Sequence, residues 1–327
     1  MMLNNKDSLN NDLCKDTDEH KREKTCLVSV VVPLYNHENY IKETLDSIIA
    51  QDYPEIEIIL IDDASSDEGL QIAKNILTSS QLPHTIIENN LNIGVTPTVN
   101  RGINEAKGKY ICLIASDDML AKGRIKRHVK ILEESLNPLI VACHGPIQVV
   151  SEDGTKIGLK GNRTNNKKYD LASVVTKETN PCLQGCTFIT KKLKKFPLDE
   201  KLYFEDWDFF IRLFLNGYDI HYDEDISAYY RITPGSVSKQ IDKMVQARHA
   251  IRNKHFEAIA SKDPKLAKKF DFTMAFWNFV GISHTGEMRK WFRTLLILMI
   301  SNPIYSFVRI RDIAWSFKTL LRTKLRY

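Results

Sequence analysis

The sequence predicts an α/β protein: an open, mostly parallel sheet flanked by helices, with a helical, basic C-terminal appendage. Three observations carry this expectation. Strand-like and helix-like segments alternate over residues 27–118. The strand-like runs are continuously apolar, as suits strands covered on both faces. Three of them end in polar pairs, Tyr35-Asn36, Asp62-Asp63 and Asp117-Asp118, and open parallel sheets hold ligands beyond the carboxyl ends of their strands.

The run LVSVVVPLYN (27–36) is the first strand. YIKETLDSIIAQ (40–51) places apolar residues at 41, 45, 48 and 49, which is helix spacing. IEIILIDDASSD (56–67) is a second buried strand, LQIAKNIL (70–77) a helix, and HTIIEN (84–89) a third strand. PTVNRGINEAKG (97–108) reads as a helix with Gly108 as its C-cap. KYICLIASDD (109–118) is a fourth strand, RIKRHVKILEES (124–135) an amphipathic helix, and 138–150 contains another strand. The polar segment 151–168 reads as a long loop of the kind that forms lids. YFEDWDFFIRLFLN (203–216) is a helix opened by acids.

Composition bounds the rest. With 327 residues, 43% hydrophobic and 27% charged, the chain has room for two compact units and is globular rather than disordered. Sparse glycine and the lack of an internal repeat exclude collagen-like chains and solenoids. The net charge of +5 hides an asymmetry: residues 241–327 carry 17 Lys and Arg against 6 Asp and Glu. Such a basic segment points to an anionic surface, membrane or nucleic acid. No nucleic-acid recognition motif accompanies it, so membrane is preferred. A helical cap packed on the catalytic domain is the competing reading. The expected organisation is a disordered leader (1–26), a catalytic domain (27–240) and a basic, aromatic region (241–327). The first 26 residues lack the apolar core of a signal peptide. The most apolar late stretch, 295–308, is shorter than the roughly 20 residues that span a bilayer. A cytoplasmic protein with reduced thiols is therefore expected. Cys143, His144, Cys182 and Cys186 lack the spacing of a zinc site.

Adjacent acids at a strand end repel, and persist where a cation or a set of donors binds. In DDASSD (62–67) the competing role is helix capping by Ser65, Ser66 or Asp67; for Asp63, ligand contact is preferred. ASDD (115–118) repeats the pattern, and carboxylates suit Mg²⁺ or Mn²⁺ with open positions for phosphates. A second N-cap is the alternative there. In FEDWDFF (204–210) acids alternate with aromatics, so one becomes a partly desolvated base or else the group stabilises a helix N-terminus. A P-loop or dinucleotide fingerprint is absent.

The order VSVVVPLYN, IDDASSD, NIGVTPTVNRGINEAKGKYI, ASDD and EDWD resembles glycosyltransferase family 2 over about 27–238. The resemblance implies the GT-A fold and an inverting, metal-dependent hexosyltransferase that uses a nucleotide-sugar. On matching positions it implies that Pro33 and Tyr35 frame the base, with Tyr35 stacking on it. Asp63 would bind the base and Asp62 support it, while Asp117 lies against the ribose or sugar. It implies that Asp118 coordinates Mn²⁺ or Mg²⁺, that Asp206 is the catalytic base with Glu205 beside it, and that Arg231 contacts the diphosphate. Two positions depart from the pattern: Ala115 stands where many relatives carry an acid, and Thr233 replaces the histidine of the Arg-x-His-x-x-Ser segment, which Ser236 and Ser238 otherwise match. The implied donor is a UDP-hexose, glucose or galactose, giving a β-linkage. The implied acceptor is an undecaprenyl-diphosphate-linked sugar in O-antigen or capsule assembly, on the cytoplasmic face of the inner membrane. A dTDP-rhamnose donor and a non-catalytic nucleotide-sugar-binding scaffold are the alternatives. A sugar-1-phosphate nucleotidyltransferase would need a Gly-rich basic loop after the first strand, which PLYNHENY lacks, and the QxxRW motif of processive synthases is absent.

Overall fold

The computed structural model describes residues 14–15, 25–160, 168–179, 181–202, 205–233, 241–283 and 287–324. The leader expectation falls almost wholly outside them, as do 161–167 of the expected lid, Ser236 and Ser238. The chain forms two compact units. One comprises Met1–Gly161, Cys182–Pro197 and Ile220–Arg231; the other comprises Asn162–Pro181, Leu198–Asp219 and Ile232–Tyr327.

The first unit begins with β1 (Val28–Leu34), α1 (Ile41–Ile49), β2 (Ile56–Asp62), α2 (Gly69–Ser80), β3 (His84–Glu88), α3 (Val95–Glu105) and β4 (Tyr110–Leu113). β1 lies between β2 and β4 and β3 extends β2, all parallel. Every residue of β2 and β4 is buried, which is why these runs do not alternate. β5 (Met119–Leu120), α4 (Arg124–Glu134), β6 (Ile140–His144), β7 (Ile147–Val150) and β8 (Lys156–Lys160) follow. The run expected to hold one strand is thus split at Gly145-Pro146, and the expected loop holds a strand of its own. After α5 (Leu171–Val175) come β9 (Cys186–Ile189), α6 (Thr190–Leu193), α7 (Glu205–Leu215), β10 (Asp219–Tyr222) and β11 (Ala228–Arg231). β9 inserts antiparallel between β4 and β6, giving a seven-stranded sheet ordered β10-β6-β9-β4-β1-β2-β3. A four-stranded sheet, β8-β7-β11-β5, joins β11 parallel to β7 and antiparallel to β5.

Gly108 is not a helix cap. α3 ends at Glu105, where the Ala106 N–H bonds the Gly102 carbonyl. A Cβ at Gly108 would lie 2.6 Å from the Ser29 nitrogen and 2.7 Å from the Leu27 oxygen, so glycine is needed for close backbone approach to β1. Beside it, the buried Ser29 hydroxyl donates to Glu57 and accepts from the Gly108 N–H, which satisfies the polar groups of an otherwise apolar strand.

A second buried polar cluster ties α4 to β9 and the Asp223–Ser227 turn. The Arg124 guanidinium is fully buried and donates to the carbonyls of Gln184, Cys186 and Ser227. His128 bonds Thr187 and Ser227, and lies 3.2 Å from Asp223. His144 accepts from the Cys182 N–H.

In the second unit, α7 buries Trp207, Phe209, Phe210 and Ile211. Its Asp208 is buried among Arg212, Lys254 and His255, each at 2.7 Å. Burial alone would raise the Asp208 carboxyl; the hydrogen bonds from His255 and Lys254, with the Arg212 charge, override it and hold it at about 2. The helices α8 (Ile241–Lys262), α9 (Pro264–Ile282), α10 (Met288–Ser301), α11 (Pro303–Val308) and α12 (Ile310–Lys324) complete this unit. Their aromatic core joins Phe276 and Phe279 of α9 to Trp291 of α10 and Leu320 of α12.

Burial pushes the His128 imidazole down to about 4 and the His144 imidazole down to about 3. Unfolding returns each to about 6.5. The unfolded chain therefore binds more protons below pH 6.5, and stability falls as pH drops toward 4. Asp223 acts lower: despite its burial, hydrogen bonds from His128 and Arg127 hold its carboxyl below the usual range, so its contribution is lost only in stronger acid. We expect urea unfolding to show His128 costing on the order of 3 kcal/mol between pH 7 and pH 4. His128→Gln should lose less stability over that interval than the wild type.

Candidate active site

The carboxyl ends of β1, β2 and β4 are laced together by short polar bonds. The Asp63 N–H bonds the Leu34 carbonyl, the Asn36 side-chain oxygen accepts from the Ser66 N–H at 2.8 Å, and the Asn36 N–H reaches the Ser65 hydroxyl. Asn36 and Ala64 take left-handed backbone angles, φ 52° and 60°, to make these turns. Asp67 bonds the Gly69 and Glu38 N–H groups, so it serves the start of α2 and the loop before α1 together. Tyr35 stands at the end of β1 with 45% of its surface exposed, and Pro33 pairs with Ile61 one residue inside the strand.

Asp62 and Asp63 have different surroundings although both are buried. Asp63 is well partnered from within the chain: its carboxylate accepts from Asn89 Nδ2 (2.8 Å) and from the N–H groups of Ile93 and Gly94 (2.9 Å each). It thereby fixes the loop 89–94, where Gly94 has φ 92°. Asp62 accepts one bond, from the Ser65 N–H, and its Oδ1 is buried without a partner. Asn89, which Arg101 also holds, was not singled out by the sequence.

The Asp117-Asp118 pair follows β4 in a turn closed by the Asp118 N–H on the Ala115 carbonyl. Asp118 Oδ1 accepts from the Arg231 N–H at 2.9 Å, and Oδ2 is buried with no hydrogen-bond partner. Burial first, and then the neighbouring Asp117, raise the Asp118 carboxyl well above its ordinary range; the Arg231 N–H and the charges of Lys160 and Arg231 oppose this. Burial also raises Asp117, against the pull of His37 and Arg231. His37 is the surprise of this region: one ring nitrogen bonds the Ser116 hydroxyl at 2.8 Å and the other lies 4.0 Å from Asp117. Its position directly after Tyr35-Asn36 was the available signal.

Arg231 is the organiser of this strand end. Its guanidinium is buried and donates to the carbonyls of Asp117 (3.1 Å) and Glu152 (2.6 Å) and to the Glu43 carboxylate. It lies over the Tyr40 ring, whose hydroxyl donates to Glu152. Lys160, on β8, sits 3.5 Å above the Tyr230 ring, one residue before Arg231. Thr233, at the position of the family histidine, is buried.

Glu205 and Asp206 belong to the other unit, at the first turn of α7. Asp206 Oδ1 accepts from the Trp207 N–H. Burial, and then the Asp206 charge, push the Glu205 carboxyl up to about 8. Among the described residues no three His, Cys, Asp or Glu side chains are grouped to hold a metal ion.

Residues 29–194 match the sequence model of Glycosyl transferase family 2. The chain belongs to this family. It is a glycosyltransferase with a mixed α/β fold of the GT-A kind. An uncharacterized glycosyltransferase of Haemophilus influenzae is 29% identical over 65% of the chain and 82% of that protein. The glycosyltransferase GlyA of Streptococcus pneumoniae is 30% identical over 65% of the chain but only 31% of its own length. Among solved structures, S. aureus TarS 1-349 in complex with UDP superposes with TM-score 0.57 at 20% identity, over 91% of the chain and 89% of that one. The mannosyltransferase PcManGT of Pyrobaculum calidifontis, in complex with GDP-Man and Mn²⁺, gives 0.62 at 16% identity over 92% and 87%.

Asp63→Asn in this transferase should set an amide NH₂ against at least one of the donors that Asp63 now satisfies. The expected cost is about 1–3 kcal/mol in denaturant unfolding. Hydrogen exchange at Ile93 and Gly94 should speed by about tenfold, as a loosened loop predicts.

Proposed function

We propose that the transferase moves a hexose from a nucleotide-sugar, most simply glucose or galactose from its UDP derivative, to a lipid-diphosphate-linked sugar with inversion at the anomeric carbon. The reaction belongs to O-antigen or capsule assembly at the cytoplasmic face of the inner membrane. The carrying observation is the Asp118 carboxylate, buried at the sheet's ligand-binding end with one oxygen unpartnered. A buried, unsatisfied carboxylate oxygen is costly on its own and suits a hard divalent ion. That PcManGT is in complex with GDP-Man and Mn²⁺, and TarS with UDP, supports the same assignment.

In this reading Tyr35 offers its exposed ring to the base, and the unpaired oxygen of Asp62 accepts from a base N–H. Asp63 keeps the surrounding loop in place for them. This exchanges the roles first expected of the two acids, because the Asp63 oxygens already hold three donors. Asp117 faces the ribose or the sugar. Asp118 would hold Mn²⁺ or Mg²⁺, which when bound would supply a Lewis acid beside the diphosphate. Arg231 acts by fixing Asp117 and Asp118, since its donors are engaged with Glu43, Glu152 and Asp117. Asp206 takes the proton of the acceptor hydroxyl, and Glu205 stands beside it with its carboxyl pushed up by burial.

The test is nucleoside-diphosphate release from UDP-glucose, UDP-galactose and dTDP-rhamnose with a lipid-diphosphate sugar acceptor, with product stereochemistry read by NMR. Asp118→Asn and Asp206→Asn should each reduce turnover by roughly 10²–10⁴-fold, and Asp206→Asn should still bind UDP. Turnover of dTDP-rhamnose alone would replace the donor assignment. Turnover unchanged in Asp206→Asn would remove that residue from the chemistry. No turnover with any donor, alongside intact UDP binding, would favour a scaffold.

A further inference from the structure

The C-terminal helices are apolar on two faces. On α10, Trp291, Leu295 and Leu298 turn inward onto α9 and α12, and Trp291 Nε1 bonds the Ser316 hydroxyl at 2.8 Å. A second stripe, Phe292, Leu296, Met299 and Ile300, follows the same helical spacing one residue on and is exposed; Ile300 is 73% exposed. α11 adds Phe307, 75% exposed. On α12, Ile313, Phe317 and Leu320 pack inward, whereas Arg311, Trp315 and Lys318 form the outward stripe.

A soluble helix keeps one apolar face and turns a polar one to water. Here the inner face is already used by the core, so the outer apolar stripe serves something else. Its surroundings identify the partner. Arg289, Lys290 and Arg293 are exposed on the first turns of α10, and Arg311 and Lys318 flank Trp315. The acids of α10–α12 and their caps are only Glu287 and Asp312, and each lies beside a cation, Lys290 and Arg309. An apolar ridge set among basic residues, with an interfacial tryptophan, matches the acyl–headgroup boundary of an anionic bilayer. No helix among the described residues is long and apolar enough to cross a membrane, so the fit is to binding at the surface.

We propose that the outer face of α10–α12 is a bilayer-docking surface. Phe292, Leu296, Ile300 and Phe307 enter the acyl boundary, and Arg289, Arg293, Arg311 and Lys318 meet anionic headgroups. The surface stands on its own geometry; its use, bringing the enzyme to a lipid-linked acceptor, rests on the function proposed above. The sequence left membrane binding and a helical cap packed on the catalytic domain as alternatives; the inward faces of α10 and α12 pack on α9, within 241–327.

Flotation of the full-length protein with vesicles tests this, using phosphatidylcholine alone and its mixture with phosphatidylglycerol. Wild type should float with the anionic vesicles and lose binding as salt rises. Leu296→Glu with Ile300→Glu should weaken flotation by about tenfold or more, with far-UV circular dichroism and turnover on a water-soluble acceptor unchanged. Arg289→Glu with Arg293→Glu should abolish the preference for anionic lipid; it carries the test if the first pair fails to fold. Wild type that ignores both vesicle types overturns the proposal, as does a dimer that Leu296→Glu splits while vesicles go unbound. Asp118→Asn should still float after losing turnover, which separates failure of this surface from failure of the catalytic reading.

Discussion

The first unit depends on one constraint: carboxylates are buried where parallel strands end, and the chain satisfies all but two of the oxygens involved. Asp63 is met by three donors, and Asp118 by a single backbone N–H. What remains are Asp62 Oδ1, at the end of β2, and Asp118 Oδ2, in the turn after β4. Leaving a buried polar atom unpaired costs about 1–3 kcal/mol, more for a charge. Around this cost the rest is arranged: the tight turns at Asn36 and Ala64, the glycine at 94, and the buried Arg231 that braces Asp117 and Asp118 from β11. The fold supplies rigidity at the point where these two oxygens stay unpaired.

Much of this was legible. Continuous β-branched runs announce β1 and β2 because both faces of a central strand are covered, and acidic pairs mark the ends of β2 and β4. The antiparallel side was harder to see. β9 is only four residues, Cys186–Ile189, and lies between β4 and β6, which precede it by some 40 residues or more. β8 reads as polar loop because Lys156–Lys160 is an exposed strand, with no buried face to give a pattern. Gly108 resembles a helix cap in composition, yet its requirement comes from a strand far away in sequence.

Individual roles at the site were less legible than its location. Which of two adjacent acids is better partnered depends on backbone N–H groups some 30 residues away, and no side-chain pattern encodes them. The same holds for Arg231, whose partners Glu43, Asp117 and Glu152 lie on three separate segments. Asp208 stands within the acidic cluster that opens α7, but His255, Lys254 and Arg212 make it a structural ion-pair centre. In the same helix Glu205 is pushed the other way by burial, so two acids three residues apart have opposite electrostatic fates.

The central claim is that the unpaired Asp118 oxygen is the protein's own contact to a divalent ion shared with a nucleoside diphosphate. The most direct measurement is anomalous diffraction from crystals grown with UDP and Mn²⁺. The account predicts a single strong manganese peak on Asp118 Oδ2, completed by diphosphate oxygens, with the Arg231 N–H still on Oδ1. A manganese ion bound elsewhere while Asp118 stays buried and unliganded, or UDP seated away from Tyr35 and Asp62, would contradict it.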